Sequence, residues 1–310
     1  MNRRDFLRLA ALAAAGMAVG TPADLFASPA SALRLTLLHT NDVHSHLEPM
    51  DTGRYAGLGG APARSALVKR LRQINPHVLL CDAGDIFQGT AYFNLFEGEP
   101  EILSMNHMGY VASAVGNHDF DAGIERLAEL AGNVAQFPFI ASNYDFADTP
   151  MEGLAHDTMV IERDGLRIGF LGLGIRLEGL VSARLYGATK YLDPIAHARR
   201  AARHLRHEER CDFIVCLSHV NINAAGDRDR EPGDRDIIRE VPEIDVILGG
   251  HNHILLNEPE AHERPGAAPG WVNQTGWAGT HLGVLQFDVY GRGKNELAAA
   301  GPVAASNAVG

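Results

Sequence analysis

Five short polar clusters, each directly behind a run of apolar residues, constrain this chain more than any other feature. Asp42-Val43-His44 follows the run from Leu35 to Thr40. Asp82-Ala83-Gly84-Asp85 follows Val78 to Cys81. Gly116-Asn117-His118-Asp119-Phe120-Asp121 follows Ala112 to Val115. Ser218-His219 follows Phe213 to Leu217, and Gly249-Gly250-His251-Asn252-His253 follows Val246 to Leu248. Short apolar runs ended by turn residues read as buried strands. Open α/β sheets bind ligands outside the carboxyl ends of their strands. The pattern therefore predicts an α/β chain whose polar strand ends meet at one site. A single D-x-H string, or one histidine at a strand end, carries little weight. Five such clusters in succession carry a great deal. Gly84, Gly116, Gly249 and Gly250 suit the tight turns that a crowded site needs.

The remaining elements follow from periodicity. Pro62 to Ile74 has Ala63, Leu67 and Leu71 recurring every four residues and predicts a helix. Pro100 to Met108, Ile124 to Leu130 and Pro194 to Glu209 read as further helices, and Phe139 to Ala141 as a strand. Met159 to Glu162 and Leu166 to Leu171 flank Arg163-Asp164-Gly165, a hairpin signal. Trp271 to Gln274 and Leu282 to Tyr290 read as closing strands. Helices and strands alternate early and hairpins come late, which predicts a mixed α/β fold with some antiparallel sheet. The Ala-, Gly- and Ser-rich stretch over residues 296–310 reads as a flexible tail.

Residues 1–32 read as an export signal: a basic start, an apolar run from about Leu9 to Gly20, and Ala30-Ser31-Ala32 as the cleavage region. The apolar run is shorter than the roughly 20 residues that span a bilayer. Arg3-Arg4-Asp5-Phe6-Leu7 resembles a twin-arginine (Tat) signal, which implies the Tat export machinery as a partner and a periplasmic or otherwise exported product. An ordinary Sec signal carrying two arginines is the alternative. Cleavage near Ala32 would leave no membrane insertion. A net charge of −11 argues against a nucleic-acid polymer as partner. Three cysteines, none spaced as C-x-x-C, read as buried free thiols, although Cys211 and Cys216 could pair in an oxidising compartment.

The strand-end clusters offer oxygen and nitrogen donors and no thiolate. That donor set fits Mn, Fe, Zn or Co better than Cu(I) or an iron–sulfur cluster. The order D-x-H, G-D, G-N-H-[DE], H, G-H-x-H resembles the calcineurin-like metallophosphoesterase superfamily. Within it, the stretch from Leu35 through Asn41-Asp42-Val43-His44-Ser45-His46-Leu47 is similar to the first signature of the 5′-nucleotidase family. Tyr110 through Asp121 is similar to the second, with Asp119 where Glu is usual. The resemblance spans residues 33–290. It implies two mixed β-sheets flanked by helices, a catalytic domain over residues 33–295, and a metal site at the carboxyl ends of the strands. It also implies two divalent ions: Asp42, His44 and His253 hold one, Asn117, His219 and His251 hold the other, and Asp85 bridges them. Such ions lie roughly 3.5–4 Å apart and convert a bridging water to the hydroxide that attacks phosphorus.

The leaving oxygen needs a proton, and His118 is the candidate donor, with Asn117 and His118 contacting the phosphate. Asp121, three residues on, either orients the His118 imidazole or caps the helix that begins near Ala122. Asp82 is either an extra ligand or a carboxylate bonded to turn amides. His39 reads as packing and His46 as solvated, and His281 is a weaker site candidate. The charged run from Asp227 to Arg235 reads as a solvated loop.

Relatives of this type carry a second, C-terminal domain whose aromatic residues stack the base. No such domain is expected after Tyr290, and Trp271, Trp277 and Tyr290 read as strand packing. The resemblance therefore implies an exported 5′-nucleotidase-like phosphomonoesterase. Two alternatives stay open: a phosphodiesterase of the same fold, and a non-catalytic metal-binding protein that partners a separately made nucleotide-binding domain.

Overall fold

The computed structural model describes residues 32–75, 77–223 and 231–306. Residues 1–31 of the expected export signal and the last four residues of the expected tail lie outside them.

One sheet has seven strands in the order β15-β14-β1-β2-β3-β4-β6: β1 (Leu33–Thr40), β2 (Val78–Asp82), β3 (Ala112–Ala114), β4 (Phe139–Ile140), β6 (Ala155–His156), β14 (His281–Gly291) and β15 (Lys294–Ala304). A second has six in the order β12-β13-β11-β10-β8-β7: β7 (Thr158–Arg163), β8 (Leu166–Gly174), β10 (Phe213–His219), β11 (Val246–Gly249), β12 (Glu260–Arg264) and β13 (Ala267–Asn273). A small pair joins β5 (Tyr144–Asp145) to β9 (Lys190–Tyr191). The helices are α1 (Ala61–Ile74), α2 (Ala91–Phe96), α3 (Glu99–Met108), α4 (Ile124–Glu129), α5 (Ala183–Tyr186), α6 (Pro194–Arg203) and α7 (Asp234–Glu240).

The sheets stack face to face because their strands are apolar on both sides. On β1, Leu35 and Leu37 point into the space between the sheets, where Leu79, Phe170, Phe213, Val215 and Val246 meet them. Leu38 points the other way, into a core built with Leu67 and Leu71 of α1, Ile102 and Met105 of α3, and Leu127 of α4. The outer face of the second sheet buries Ile214 and Ile247 against Ala198, Ala201 and Ala202 of α6 and Ile237 and Ile238 of α7. The result is a four-layer sandwich, helices–sheet–sheet–helices. Two-sided burial is the reason these strands read as continuous apolar runs rather than as alternation.

The expected elements recur within a residue or two at most ends. Asp164 and Gly165 form the β7–β8 turn with φ of 52° and 88°, the left-handed pair that a two-residue hairpin needs. The helix expected to reach Glu209 ends its regular part at Arg203 and continues as a wider turn over His204–Glu208. Cys81, Cys211 and Cys216 are buried free thiols.

The flexible-tail expectation is corrected. Residues Lys294–Ala304 form β15, paired antiparallel along β14, with Gly301, Pro302 and Val303 buried. The Ala-rich composition hides this strand because small side chains give no alternation. Pairing with β14 satisfies its backbone, and Gly293, at φ 64°, makes the reversal.

Candidate metal centre and catalytic site

The strands that precede the five clusters are parallel within each sheet: β1 with β2, β2 with β3, and β10 with β11. Their carboxyl ends meet at one edge of the sandwich, around a cavity of about 450 Å³. His44, Asp85, Asn117, His118, His251 and His253 line it, together with His46, Gln88, Gly89 and Trp277.

Two groups of donor atoms converge there. Asp42, His44 and His253 form one, and Asp85, His219 and His251 form the other. In the first, His44 Nε2 lies 3.1 Å from His253 Nε2, and Asp42 Oδ1 lies 3.9 and 3.3 Å from these nitrogens. In the second, His219 Nε2 lies 3.0 Å from Asp85 Oδ2, and Asn117 Oδ1 lies 3.0 Å from His251 Nδ1. The groups interlock, since His44 Nε2 is 3.8 Å from Asp85 Oδ2 and His219 Nε2 is 3.9 Å from Asp42 Oδ1. All seven predicted ligands are thus brought together.

The outer nitrogens explain the orientation of two rings. His44 Nδ1 faces the Phe87 carbonyl at 3.1 Å, and His219 Nδ1 faces the Ala83 carbonyl at 2.7 Å. An N–H donated outward leaves the Nε2 lone pair aimed inward, the arrangement of metal-binding imidazoles. Inward-facing lone pairs from several rings repel unless a cation lies between them. His219 Nε2 is buried without an aligned hydrogen-bond partner. Burial opposes a charge on His219, yet the Asp85 carboxylate raises its pKa to about 10. Burial likewise opposes the Asp85 charge, and His219 holds that carboxyl below its usual range nonetheless. The donor set and this preference for positive charge fit divalent cations.

Backbone geometry points the same way. Asp42, His44, Asp85, His251 and His253 have φ between 47° and 69°. A left-handed residue other than glycine costs roughly 1–2 kcal/mol, which Asp and His relieve in part by local hydrogen bonds. Five predicted ligands share this conformation because the chain turns sharply at each strand end to aim a side chain into the cavity. The role of the glycines differs from the expected one. Gly84 does take a positive φ of 88°. Gly116 does not; it leaves room, since a Cβ there would overlap the Asp85 carboxylate.

His118 and Asp121 are hydrogen-bonded to one another, His118 Nδ1 to Asp121 Oδ2 at 2.8 Å. That hydrogen bond, with lesser help from nearby carboxylates, raises the His118 pKa. The capping alternative falls away, because α4 begins after Gly123 with no side-chain cap. The His118 N–H also donates to Asp85 Oδ1 at 2.8 Å, tying this loop to the metal groups.

Of the two readings of Asp82, the turn reading holds. Its carboxylate accepts from the Gly84 N–H and the Thr40 and Ser113 hydroxyls, and burial pushes its pKa up to about 7. Asp119 does similar work: it accepts from the Gly116, Asp85 and Ile86 amides and binds two motif loops together. His39 is buried against Asn273, as packing requires. His281 packs edge-on against Tyr55 and bonds Thr280, and it does not line the cavity. Arg235 pairs with Glu260, while residues 224–230 of the charged run lie outside the described residues.

Two expectations are corrected. His46 is not a solvated ring but packs edge-on against Trp277, centroids 5.4 Å apart. Trp277 is not strand packing: it stands in a loop at the cavity wall, parallel to the His253 ring. Sequence reasoning also passed over Asn41, whose amide donates to Asp42 Oδ2 at 2.6 Å and whose signal was its place beside a ligand.

The sequence profile of the calcineurin-like phosphoesterases matches residues 35–255. The chain belongs to that family, a metal-dependent class of hydrolases. It is 31% identical over 239 residues to a probable 5′-nucleotidase of Treponema pallidum, an alignment covering 74% of this chain and 38% of the relative. It is 32% identical over 241 residues to a 5′-nucleotidase of Vibrio cholerae, covering 75% and 42%. The crystal structure of a 5′-nucleotidase precursor from Thermus thermophilus superposes with a TM-score of 0.77 at 30% identity, covering 88% of this chain and 54% of that one. The phosphoesterase chain spans about half the length of these relatives or less.

Proposed function

We propose that this chain is a dinuclear, metal-dependent phosphomonoesterase of the 5′-nucleotidase type, exported by the twin-arginine route. The interlocked pair of donor groups carries the reading. Asp42, His44 and His253 hold one divalent ion, Asn117, His219 and His251 hold the other, and Asp85 serves both. Its carboxylate supports that role, since Oδ2 faces His219 at 3.0 Å and His44 at 3.8 Å. Ions bound there would supply Lewis-acid grip on the phosphate oxygens and a water acidic enough to attack phosphorus.

The chain's own side chains do the rest. Asn117 and His118 stand on one loop at the cavity wall and contact the phosphate. Asp121 holds His118 Nδ1, which leaves Nε2 free to give a proton to the departing alkoxide. Burial of Asp42, Asp85 and His219 strengthens each charge interaction made there. Arg3-Arg4 and the apolar run behind them support export, and among the described residues no helix is long and apolar enough to cross a membrane.

The substrate class is nucleoside 5′-monophosphates and related phosphomonoesters, for which the likeness to 5′-nucleotidases is the support. The test is a phosphate-release screen with divalent metal over nucleoside monophosphates, sugar phosphates, p-nitrophenyl phosphate and bis-p-nitrophenyl phosphate. Monoesters should be turned over faster than the diester. Diester preference would make the chain a phosphodiesterase, and inactivity on every substrate by metal-loaded protein would favour a non-catalytic role.

A further inference from the structure

His253 differs from the other histidines of the two donor groups. It is the exposed one among them, with 40% of its side chain accessible against 7% for His44 and none for His219. His44 and His219 are each oriented through the outer nitrogen by a backbone carbonyl. Among the described residues, the ring nitrogens of His253 meet only His44 and Asp42. Its ring lies parallel to the Trp277 indole instead, at 4° and 5.5 Å between centroids. A metal-binding imidazole generally has its outer N–H held by a second group, and loss of that group weakens metal binding. Here the Trp277 indole covers the face of the imidazole, and among the described residues no protein group faces its outer nitrogen.

Trp277 is itself tightly held. Its loop is fastened to the first motif by three hydrogen bonds: Thr275 N–H to Asn41 Oδ1 at 2.9 Å, Asn41 Nδ2 to the Gly276 carbonyl at 2.7 Å, and Ala278 N–H to the Asp42 carbonyl at 2.7 Å. Gly276 and Ala278, on either side, have φ of 80° and 55°. His46 packs edge-on against the indole. The ring that steadies His253 is therefore anchored on the same segment that carries Asp42 and His44.

From this geometry we infer that Trp277 is a positioning residue: it fixes the His253 imidazole and so sets the affinity of the Asp42–His44–His253 group for its divalent ion. The inference rests on the two-ion reading above. Aromatic pairs of this kind contribute beyond their buried area, and a planar partner restricts rotation about the His253 χ2, which among the described residues no hydrogen bond at the outer nitrogen restrains. Leucine would keep the apolar bulk and lose the plane; phenylalanine would keep both.

The experiment is a Mn²⁺ titration of the metal-stripped chain, followed by calorimetry and by electron paramagnetic resonance, for wild type, Trp277→Leu, Trp277→Phe, His253→Ala and the Trp277→Leu/His253→Ala double variant. Wild type should take up two ions with a spin-coupled signal. Trp277→Leu should bind one ion as before and the other about 10–100-fold more weakly, the usual cost of losing a group that orients a ligand. Trp277→Phe should restore most of that loss, and Trp277→Leu should add nothing once His253 is gone. Two unchanged affinities in Trp277→Leu would overturn the inference while leaving the two-ion reading intact. So would a loss that persists in the His253→Ala background. So would unchanged metal binding with a raised KM for nucleotides, since the indole would then contact substrate. Wild type that binds fewer than two ions would overturn the two-ion reading and this inference with it.

Discussion

Replacing Asp121 by asparagine keeps the side chain's size and removes its charge, which isolates what the carboxylate does for His118. The bond is 2.8 Å long, and the two side chains are 38% and 26% exposed. A hydrogen bond to a charged group contributes about 1.5–3 kcal/mol, and partial exposure places this one at the low end. About 1.4 kcal/mol is a factor of ten in rate. Asp121→Asn should therefore lower kcat on glycerol phosphate about tenfold, while His118→Ala, which removes the donor itself, should lower it roughly 10²–10⁴-fold. The double variant should be no worse than His118→Ala. The pH profile should move as well. The Asp121 hydrogen bond raises the His118 pKa, so without it the ring loses its proton at lower pH. The alkaline limb of kcat for an alkyl phosphate should then shift to lower pH. With p-nitrophenyl phosphate, whose leaving group needs little protonation, both effects should shrink. Initial-rate phosphate release measures all of this. Equal losses on both substrates, or an Asp121→Asn loss that multiplies with that of His118→Ala, would refute the proton-donor role.

Other outcomes follow from the same site. Asp85→Asn keeps a residue type that tolerates φ 56° and still accepts from the His118 amide, so the fold should survive; metal content and turnover should nevertheless fall further than for any other single ligand, and full metal occupancy would contradict the shared role. Base selectivity should be weak, because Trp277 at the cavity wall is already engaged by His253 and His46. A base stacked on a free aromatic ring gains about 1–3 kcal/mol, so this chain should favour adenosine monophosphate over ribose 5-phosphate less than about tenfold in kcat/KM; a preference near a hundredfold would reveal a base pocket. Arg3→Lys with Arg4→Lys should leave folded, active protein inside the cell, and normal export of that variant would mean a Sec signal.

Most of the layout of the site was legible because its chemistry is local. Each proposed ligand sits within a few residues of a strand end, and buried parallel strands announce themselves as apolar runs. What was not legible depended on the third dimension. Whether Asp121 caps a helix or holds His118 is decided by where α4 starts, and Asp82 could be sorted from the ligands only by the Thr40, Ser113 and Gly84 groups around it. Trp277 carries no signal in T-G-W-A-G, since its meaning comes from a loop fastened to Asn41 and Asp42 some 235 residues earlier. The packing of His46 is hidden for the same reason, as its partner is that indole. β15 carries no sequence signal because alanine and glycine show no periodicity, and only pairing with β14 orders them. The left-handed backbone of Asp42, His44, Asp85, His251 and His253 was hidden too, because glycine is the usual sign of that conformation and these positions do not use it.

On the proposed mechanism, two divalent ions held by Asp42, His44, Asp85, Asn117, His219, His251 and His253 would carry out phosphomonoester hydrolysis. The most direct measurement titrates Mn²⁺, Co²⁺ or Zn²⁺ into chelator-stripped protein while turnover of p-nitrophenyl phosphate and bound metal are followed together. Turnover should be absent without metal and should reach its plateau as the second equivalent binds. Full turnover by metal-free protein, or a plateau at one equivalent, would contradict the two-ion mechanism.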